Sequence, residues 1–303
     1  MTASKEQRRA IIVMALLSFL WGYSWVVAKL GLSQSSPLDF SVLRVLVAIV
    51  TILVVLIVWR RRLPGPPPPG SIIVGLVQTG LFLTLNNLAL AASGPGKISI
   101  LTFTMPFWVL LFAWPVLGEH VRGRQWIAVG AAIAGLLLIL EPWRLEASTM
   151  AKVLAVAGGM CWAIGVVISK RIHRKTPVDA LDFTFWQMVF GAIPMLFITW
   201  IVVEPAPRWT PLLWIALLFS GGLATAVGWL MWQYVLSRLP AGTTSLSSLA
   251  VPLIATVSSA IQLGERLRTA EIIGAACIVV ALALMSWQSI RNRQRDEPTV
   301  VEP

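Results

Sequence analysis

The sequence predicts an all-α integral membrane protein of ten transmembrane helices, built as two inverted five-helix repeats. Composition is the first reason. Of 303 residues, 57% are hydrophobic and only 12% charged, with a mean hydropathy of +0.81, against roughly 25% charge in a soluble domain. The second is that its apolar runs are about 17–25 residues long, enough to cross about 30 Å of hydrocarbon as helix. The third is an internal repeat. Leu38-Asp39-Phe40 returns as Leu181-Asp182-Phe183, 143 residues on, and Trp21 with Lys29 returns as Trp162 with Lys170, 141 on. Met105-Pro106 and Gly118-Glu119 return as Val251-Pro252 and Gly264-Glu265, 146 on. Each half carries five apolar segments, and an odd number turns the second half upside down, as in secondary transporters. Residues 1–145 and 146–303 are thus expected to be the two repeats of one membrane domain.

The expected spans are 10–32, 38–59, 71–92, 98–117 and 126–140, then 151–169, 183–203, 211–236, 241–263 and 272–290. The first follows Lys5, Arg8 and Arg9 as a signal peptide would. It runs about twenty residues, contains Trp21, Tyr23 and Trp25, and lacks a small-x-small cleavage site, so it reads as a retained helix. Between the second and third spans, Pro66 to Pro69 are four consecutive prolines that cannot be helical and form a stiff connection. The shortest breaks are 93–97 and 238–240.

The net charge of +11 does not mark a nucleic-acid partner, because the basic residues cluster beside helix ends. With the amino terminus inside, sixteen Lys and Arg flank the inner side: Lys5, Arg8, Arg9, Arg60, Arg61, Arg62, Arg122, Arg124, Lys170, Arg171, Arg174, Lys175, Arg238, Arg291, Arg293 and Arg295. Six flank the outer side: Lys97, Arg144, Lys152, Arg208, Arg266 and Arg268. Lys29 and Arg44, inside spans, complete the 24. The bias puts both termini in the cytoplasm and the twin Gly-Glu loops on opposite sides.

Enzyme signatures are missing. Gly94-Pro95-Gly96-Lys97 lacks the Walker A spacing and the following Ser or Thr. His120 and His173 fall in loops without a ligand set at metal spacing. No enzyme, cofactor or metal site is expected. Cys161 and Cys277 lie in apolar segments and read as small hydrophobes.

Function should show instead in polar groups at membrane depth, where an unsatisfied one is expensive. Ser99, Thr102 and Pro106 share one helix face, and Ser245, Ser248 and Pro252 repeat it 146 residues on. The symmetric set reads as a cavity lining; for any single Ser or Thr, the competing reading is a bond to its own helix. The third span adds Gln78, Thr79, Asn86 and Asn87, whose repeat counterparts include Thr225, Trp232 and Gln233. These read equally well as solute contacts or as helix–helix hydrogen bonds. Trp21 and Trp162, repeat partners near mid-bilayer, read as walls or gates, with packing as the alternative. Pro106, Pro252, Gly96 and Gly242 are the expected hinges. Asp39 and Asp182 read as helix caps, Lys29 and Lys170 as snorkelling lysines. Arg44 has Gln187 as its counterpart, so no paired charge is repeated, and no buried acidic chain for a proton relay is evident.

The two five-helix halves, the Trp-x7-Lys spacing, the mid-span prolines and the Gly-Glu loops followed by basic residues resemble the EamA branch of the drug/metabolite transporter superfamily. Within it, the chain looks most like bacterial amino-acid exporters of the YddG type. The resemblance covers residues 10–290. It implies an inner-membrane carrier working by alternating access, with a central cavity between helices one, three, four, six, eight and nine. Carried over, that cavity is lined by Trp21, Asn86, Ser99, Thr102, Trp162, Trp232, Ser245 and Ser248. The expected function is export of neutral, including aromatic, amino acids, without evident ion coupling. Export of drugs, nucleosides or other metabolites is the alternative. A membrane enzyme or a scaffold would not need two matched polar faces. The expected partners are a small solute and the lipid bilayer, and the expected functional unit is a monomer.

Overall fold

Hydrocarbon offers no partner to a bare peptide group, so a chain this apolar satisfies its backbone within helices. The computed structural model describes residues 2–60, 62–118, 125–140, 148–176, 178–236 and 250–296. The helices are α1 (Thr2–Gly31), α2 (Pro37–Val58), α3 (Ser71–Val74), α4 (Phe82–Ala92), α5 (Pro95–Thr102), α6 (Met105–Leu117) and α7 (Gln125–Leu140). They continue as α8 (Ser148–Lys175), α9 (Ala180–Ile201), α10 (Pro211–Leu217), α11 (Gly228–Leu236), α12 (Ala250–Leu263) and α13 (Thr269–Asp296). A π-helical stretch, Gly75–Leu81, joins α3 to α4, and a second, Leu218–Val227, joins α10 to α11. No strand occurs among the described residues.

Seven segments are long and apolar enough to cross a membrane, from Ile12–Gly31 to Pro211–Val235, and three shorter apolar helices accompany them. Their outer surfaces suit lipid. Ile261 and Trp200 are 82% and 80% exposed, and Leu16, Phe19, Val54, Phe197 and Ile215 are also exposed. A water-soluble monomer rarely shows so much contiguous apolar surface. Trp59, Trp126, Trp209 and Trp214 are exposed as expected of interfacial indoles; the structure around Trp143 lies outside the described residues.

Helix starts follow their local sequence. Ser36 caps α2, its hydroxyl accepting the Asp39 N–H at 3.1 Å, with Pro37 in the first turn. Thr210 caps α10 through the Leu213 N–H ahead of Pro211. Asp179 caps α9 by accepting from Leu181 and Asp182 N–H. Asp39 and Asp182 are therefore not the caps the sequence pointed to. Asp39 sits in the first turn, and Asp182 reaches across to Arg62, whose Nη1 lies 2.9 Å from both carboxylate oxygens. That hydrogen bond first, and the charges of Asp182 and Asp179 after it, hold the Arg62 guanidinium above its ordinary pKa. Gly65 N–H and the Trp186 indole complete the tether of the non-helical loop 62–70 to α9.

Several helices outrun their apolar sequence. α1 begins at Thr2 rather than 10, α8 reaches Lys175 rather than 169, and α13 reaches Asp296 rather than 290. Hydropathy marks where lipid ends, whereas a helix continues into water while its residues favour it.

Packing pairs α1 with α12, α4 and α6 with α8, α2 with the second π stretch, and α9 with the first. The α7–α13 contact is closest at glycine: a Cβ on Gly135 would stand 2.6 Å from the Gly274 carbonyl oxygen. Gly135→Val should force these backbones apart and lower stability by about 1–3 kcal/mol. A thermal-unfolding midpoint in detergent equal to the wild type would refute that close approach.

Candidate substrate cavity

The largest buried aromatic cluster of the bundle sits where α1, α8 and α11 meet. The Trp21 ring lies 6.0 Å from Trp162 and 6.0 Å from Trp229, and Trp162 lies 5.1 Å from Trp229, all edge to face. Phe82 closes to 4.8 Å of Trp162, and Trp232 to 5.6 Å of Trp21. Such pairs add about 0.5–1.5 kcal/mol each beyond area burial. Trp21 is further anchored by its indole N–H, which donates to the Ala224 carbonyl in the second π stretch at 2.9 Å. This reach is possible because residue 228 is glycine: a Cβ there would lie 2.5 Å from Trp21 Nε1.

Beside these indoles is a central cavity of about 60 Å³. Its walls include Trp21, Trp162, Trp229, Phe82, Asn86, Asn87, Thr102 and Arg44. Asn86 and Thr102 act as one polar unit. The Thr102 hydroxyl donates to Asn86 Oδ1 at 2.5 Å, and Asn86 Nδ2 donates to the Phe82 carbonyl at 2.8 Å. Gly158 and Gly159 of α8 make room for it, since a Cβ on Gly158 would collide with the Asn86 amide and one on Gly159 would meet Thr102 O at 2.7 Å. Asn87 donates to Ser41 Oγ at 2.8 Å.

Of the residues singled out in the sequence, Trp21, Asn86, Thr102 and Trp162 are thus brought together around one space. Trp232 touches Trp21 from behind. Ser99 turns away, donating to its own helix at Gly96 O. Gln78 and Thr79 pack against α9, where Gln187 Nε2 lies 3.2 Å from Thr79 Oγ1 and 3.4 Å from Gln78 Oε1. Thr225 holds Arg44, whose Nε donates to its hydroxyl at 2.8 Å. These last three serve helix–helix contact. Ser245, Ser248 and Gly242 lie outside the described residues, as does Glu119.

The expected hinges also find definite places. The break in the fourth span falls at Phe103–Thr104, so Pro106 occupies the second position of α6 rather than a helix middle. Pro252 lies within α12, its carbonyl accepting from Thr256. Gly96 is clamped. Its N–H donates to Glu265 Oε2 at 2.8 Å, the Lys97 N–H donates to Oε1 at 3.2 Å, and the Ser259 hydroxyl donates to Oε2. Lys29 reaches the end of α4. Its ammonium donates to the carbonyls of Leu90, Ala91 and Ser93 at 2.6, 3.0 and 3.0 Å. Nor are buried acids lacking: Glu271 is 2% exposed, paired with Lys97 at 2.5 Å and capping α13 through the Arg268 N–H. The helix begins three residues before the expected 272, which draws Glu271 into its first turn.

Among the cavity residues that sequence reasoning passed over, Trp229, Phe82 and Arg44 stand out. Trp229 was visible only as one deep indole among several. Phe82 looked like any apolar helix residue. Arg44 did leave a signal, a lone arginine eight positions into the 22-residue apolar helix α2, which on physical grounds marks a functional site by default.

The family profile described as the EamA-like transporter family matches the chain twice, over residues 8–141 and 149–287. The chain belongs to the EamA-like transporter family. It is therefore a multi-pass membrane protein of a transporter family. The uncharacterized transporter YoaV of Bacillus subtilis is 25% identical over 283 residues, spanning 91% of this chain and 96% of that one. A probable amino-acid metabolite efflux pump of Escherichia coli is 25% identical over 287 residues, spanning 91% and 94%. One crystal structure superposes with a TM-score of 0.66 at 18% identity, covering 93% of this chain and 99% of its own, and so shares the fold.

The Glu265 carboxylate accepts from two backbone amides, and hydrogen bonds to a carboxylate are worth about 1.5–3 kcal/mol each. Glu265→Gln should therefore speed hydrogen exchange at Gly96 and Lys97 by about tenfold or more. Unchanged protection of a peptide spanning these residues would show that the clamp holds nothing.

Proposed function

We propose that this transporter exports neutral amino acids, aromatic ones among them, by alternating access. The observation that carries the reading is the cavity: four indoles and Phe82 wall a central space that also meets the Asn86–Thr102 pair. Indole faces accept a hydrocarbon or aromatic side chain and attract an ammonium group. The free lone pairs of Asn86 Oδ1 and Thr102 Oγ1 supply acceptors for the same ammonium. The printed name of the E. coli relative, a probable amino-acid metabolite efflux pump, points the same way.

In this reading the chain has ten spans, residues 1–145 and 146–303 forming two inverted five-helix repeats. Both termini lie in the cytoplasm and the bilayer is the bacterial inner membrane. The sixteen-to-six distribution of basic residues supports that orientation. The carrier acts as a monomer, without cofactor. No Asp or Glu lines the cavity among the described residues, which favours facilitated movement over proton coupling. Lys97–Glu271 and the Glu265 clamp close the outer end, at the entry to α5.

The test is efflux from liposomes loaded with labelled amino acids, with and without a pH gradient. Efflux independent of the gradient is expected. Trp162→Ala and Asn86→Ala should each cut it by about tenfold, a loss near 1.4 kcal/mol in the rate-limiting barrier, with expression intact. Normal flux in both variants would refute the site assignment, and no efflux of any amino acid would turn the reading to drugs, nucleosides or other metabolites.

A further inference from the structure

One cation in this cavity has no anion. Arg44 is 9% exposed, and its Nε is engaged by the Thr225 hydroxyl. Of the five N–H donors of a guanidinium, the four on its two terminal nitrogens take no acceptor among the described residues. Four carboxylates near the ends of the bundle are committed elsewhere, Asp179 and Asp182 to Arg62, Glu271 to Lys97 and Glu265 to the Gly96 and Lys97 amides, and neither Asp39 nor Glu204 forms an ion pair with Arg44. A buried charge without a counter-charge is strongly penalised, and inside a membrane more so.

A second unpartnered donor lines the same cavity. The Trp229 side chain is 4% exposed, and its Nε1 finds no acceptor among the described residues. Another cavity indole, Trp21, does find one, in the Ala224 carbonyl. The nearby side-chain oxygens serve other donors, Asn86 Oδ1 accepting from Thr102 and Ser41 Oγ from Asn87, and their remaining lone pairs meet neither Arg44 nor Trp229. The cavity is thus rich in donors, carries one net positive charge, and lacks the oxyanion that both would bind.

We propose that Arg44 and the Trp229 indole N–H receive the carboxylate of the transported solute, so that the cavity selects carboxylate-bearing solutes over their amides and amines. The fork of the guanidinium matches the two oxygens of a carboxylate, which a lysine ammonium in its place would not. Thr225 supports the arrangement from behind by holding Nε, which leaves both terminal nitrogens for the ligand. Amino acids and simple aromatic acids share this carboxylate. An amino acid would also place its ammonium at the indole faces, and a simple acid would not. The inference rests on the cavity being the transport site, and it deepens the amino-acid reading by assigning the anchor.

The experiment compares phenylalanine, phenylalaninamide and phenylacetate in the liposome efflux assay, for the wild type, Arg44→Gln, Arg44→Lys and Trp229→Phe. The wild type should move phenylalanine about tenfold or more faster than its amide, a margin of about 1.4 kcal/mol. Arg44→Gln should abolish that preference, Arg44→Lys should retain part of it, and Trp229→Phe, which keeps the ring and loses only the donor, should lower it severalfold. A purely structural Arg44 would change the rates for all solutes in step and leave the ratio intact, and an intact ratio in Arg44→Gln and Trp229→Phe overturns the proposal. If the wild type moves neither phenylalanine nor its amide, the amino-acid reading fails separately. Efflux of phenylacetate, or thermal stabilisation of the purified protein by benzoate but not benzamide, lost in Arg44→Gln, would then still sustain the anchor. Equal stabilisation by benzoate and benzamide, or by neither, would sink it.

Discussion

Every interruption of a helix inside a bilayer must be satisfied by the protein itself, because lipid supplies neither donors nor acceptors. The turn at Ser93 and Gly94 joins two apolar spans rather than interrupting one, and its bare helix ends meet the same constraint. The end of α4 leaves carbonyls bare, and the Lys29 ammonium covers three of them. The start of α5 leaves amides bare, and the Glu265 carboxylate covers two. Each charge also faces the helix-dipole end of opposite sign. Lys29 comes from α1 and Glu265 from the turn between α12 and α13, so the turn between two spans ties in two other helices beside it. The glycines at 94 and 96 follow from the same constraint, since side chains there would run into Glu265.

A second pair of interactions shows how the repeat is used. Thr79 and Thr225 lie 146 residues apart, each within a π-helical stretch. Each hydroxyl accepts from a residue of a helix belonging to the opposite half of the chain: Gln187 of α9 for Thr79, Arg44 of α2 for Thr225. Arg44 and Gln187 are themselves 143 residues apart. The same contact therefore occurs twice with its partners exchanged, and a π stretch, whose wider turn loosens the usual backbone ladder, is the element each side grips. Gly75 and Gly221 repeat the pattern, with the backbone oxygens of Gln187 and Arg44 close against them. Only the donors differ. In one half the donor is a neutral amide buried between helices; in the other it is a cation that borders the cavity. The halves diverge at the position where a charge can meet a solute.

Much of this was legible in the sequence. The span 71–92 and the start of the span 211–236 match the observed boundaries, because Gly70 and Pro211 punctuate their starts with unmistakable backbone chemistry. The approach of Trp21 to Trp162 could be anticipated from their repeat spacing, and Thr102 and Asn86 from polarity at membrane depth. What escaped depends on direction rather than composition. Ser99 and Thr102 share a helix face, yet one bonds its own backbone and the other spans to Asn86, and only the neighbouring α8 glycines decide between them. The π stretches leave no trace in hydropathy, since one widened turn hardly shifts the apolar period. Gln78 and Thr79 carried the same polarity as Asn86, but the widened turn directs them to α9. Arg44 was set aside because the repeat does not preserve its charge, although loss of symmetry is what a site binding an asymmetric solute requires.

The cavity's own size bears on how it must work. About 60 Å³ is far below the roughly 300–1,000 Å³ of sites that hold small organic ligands, so under the proposed function a solute would enter only with a widening of the walls. The aromatic side resists this, since Trp21 is hydrogen-bonded to Ala224 and packed against Gly228. The opposite wall is different. α5 is eight residues long and is bounded by the break at Ser93–Gly94 and the turn at Phe103–Thr104. Proline at 106 has no N–H to return to the Thr102 carbonyl four residues back, so no continuous helix ties α5 to α6. Moving α5 therefore breaks few backbone hydrogen bonds, and it would carry Thr102, and with it the polar contact to Asn86, away from the indoles. The restraint on such a movement lies at the Glu265 carboxylate, which holds the amides of the same short helix. Solute access and the ionic clamp at the entry to α5 are in this way properties of one element.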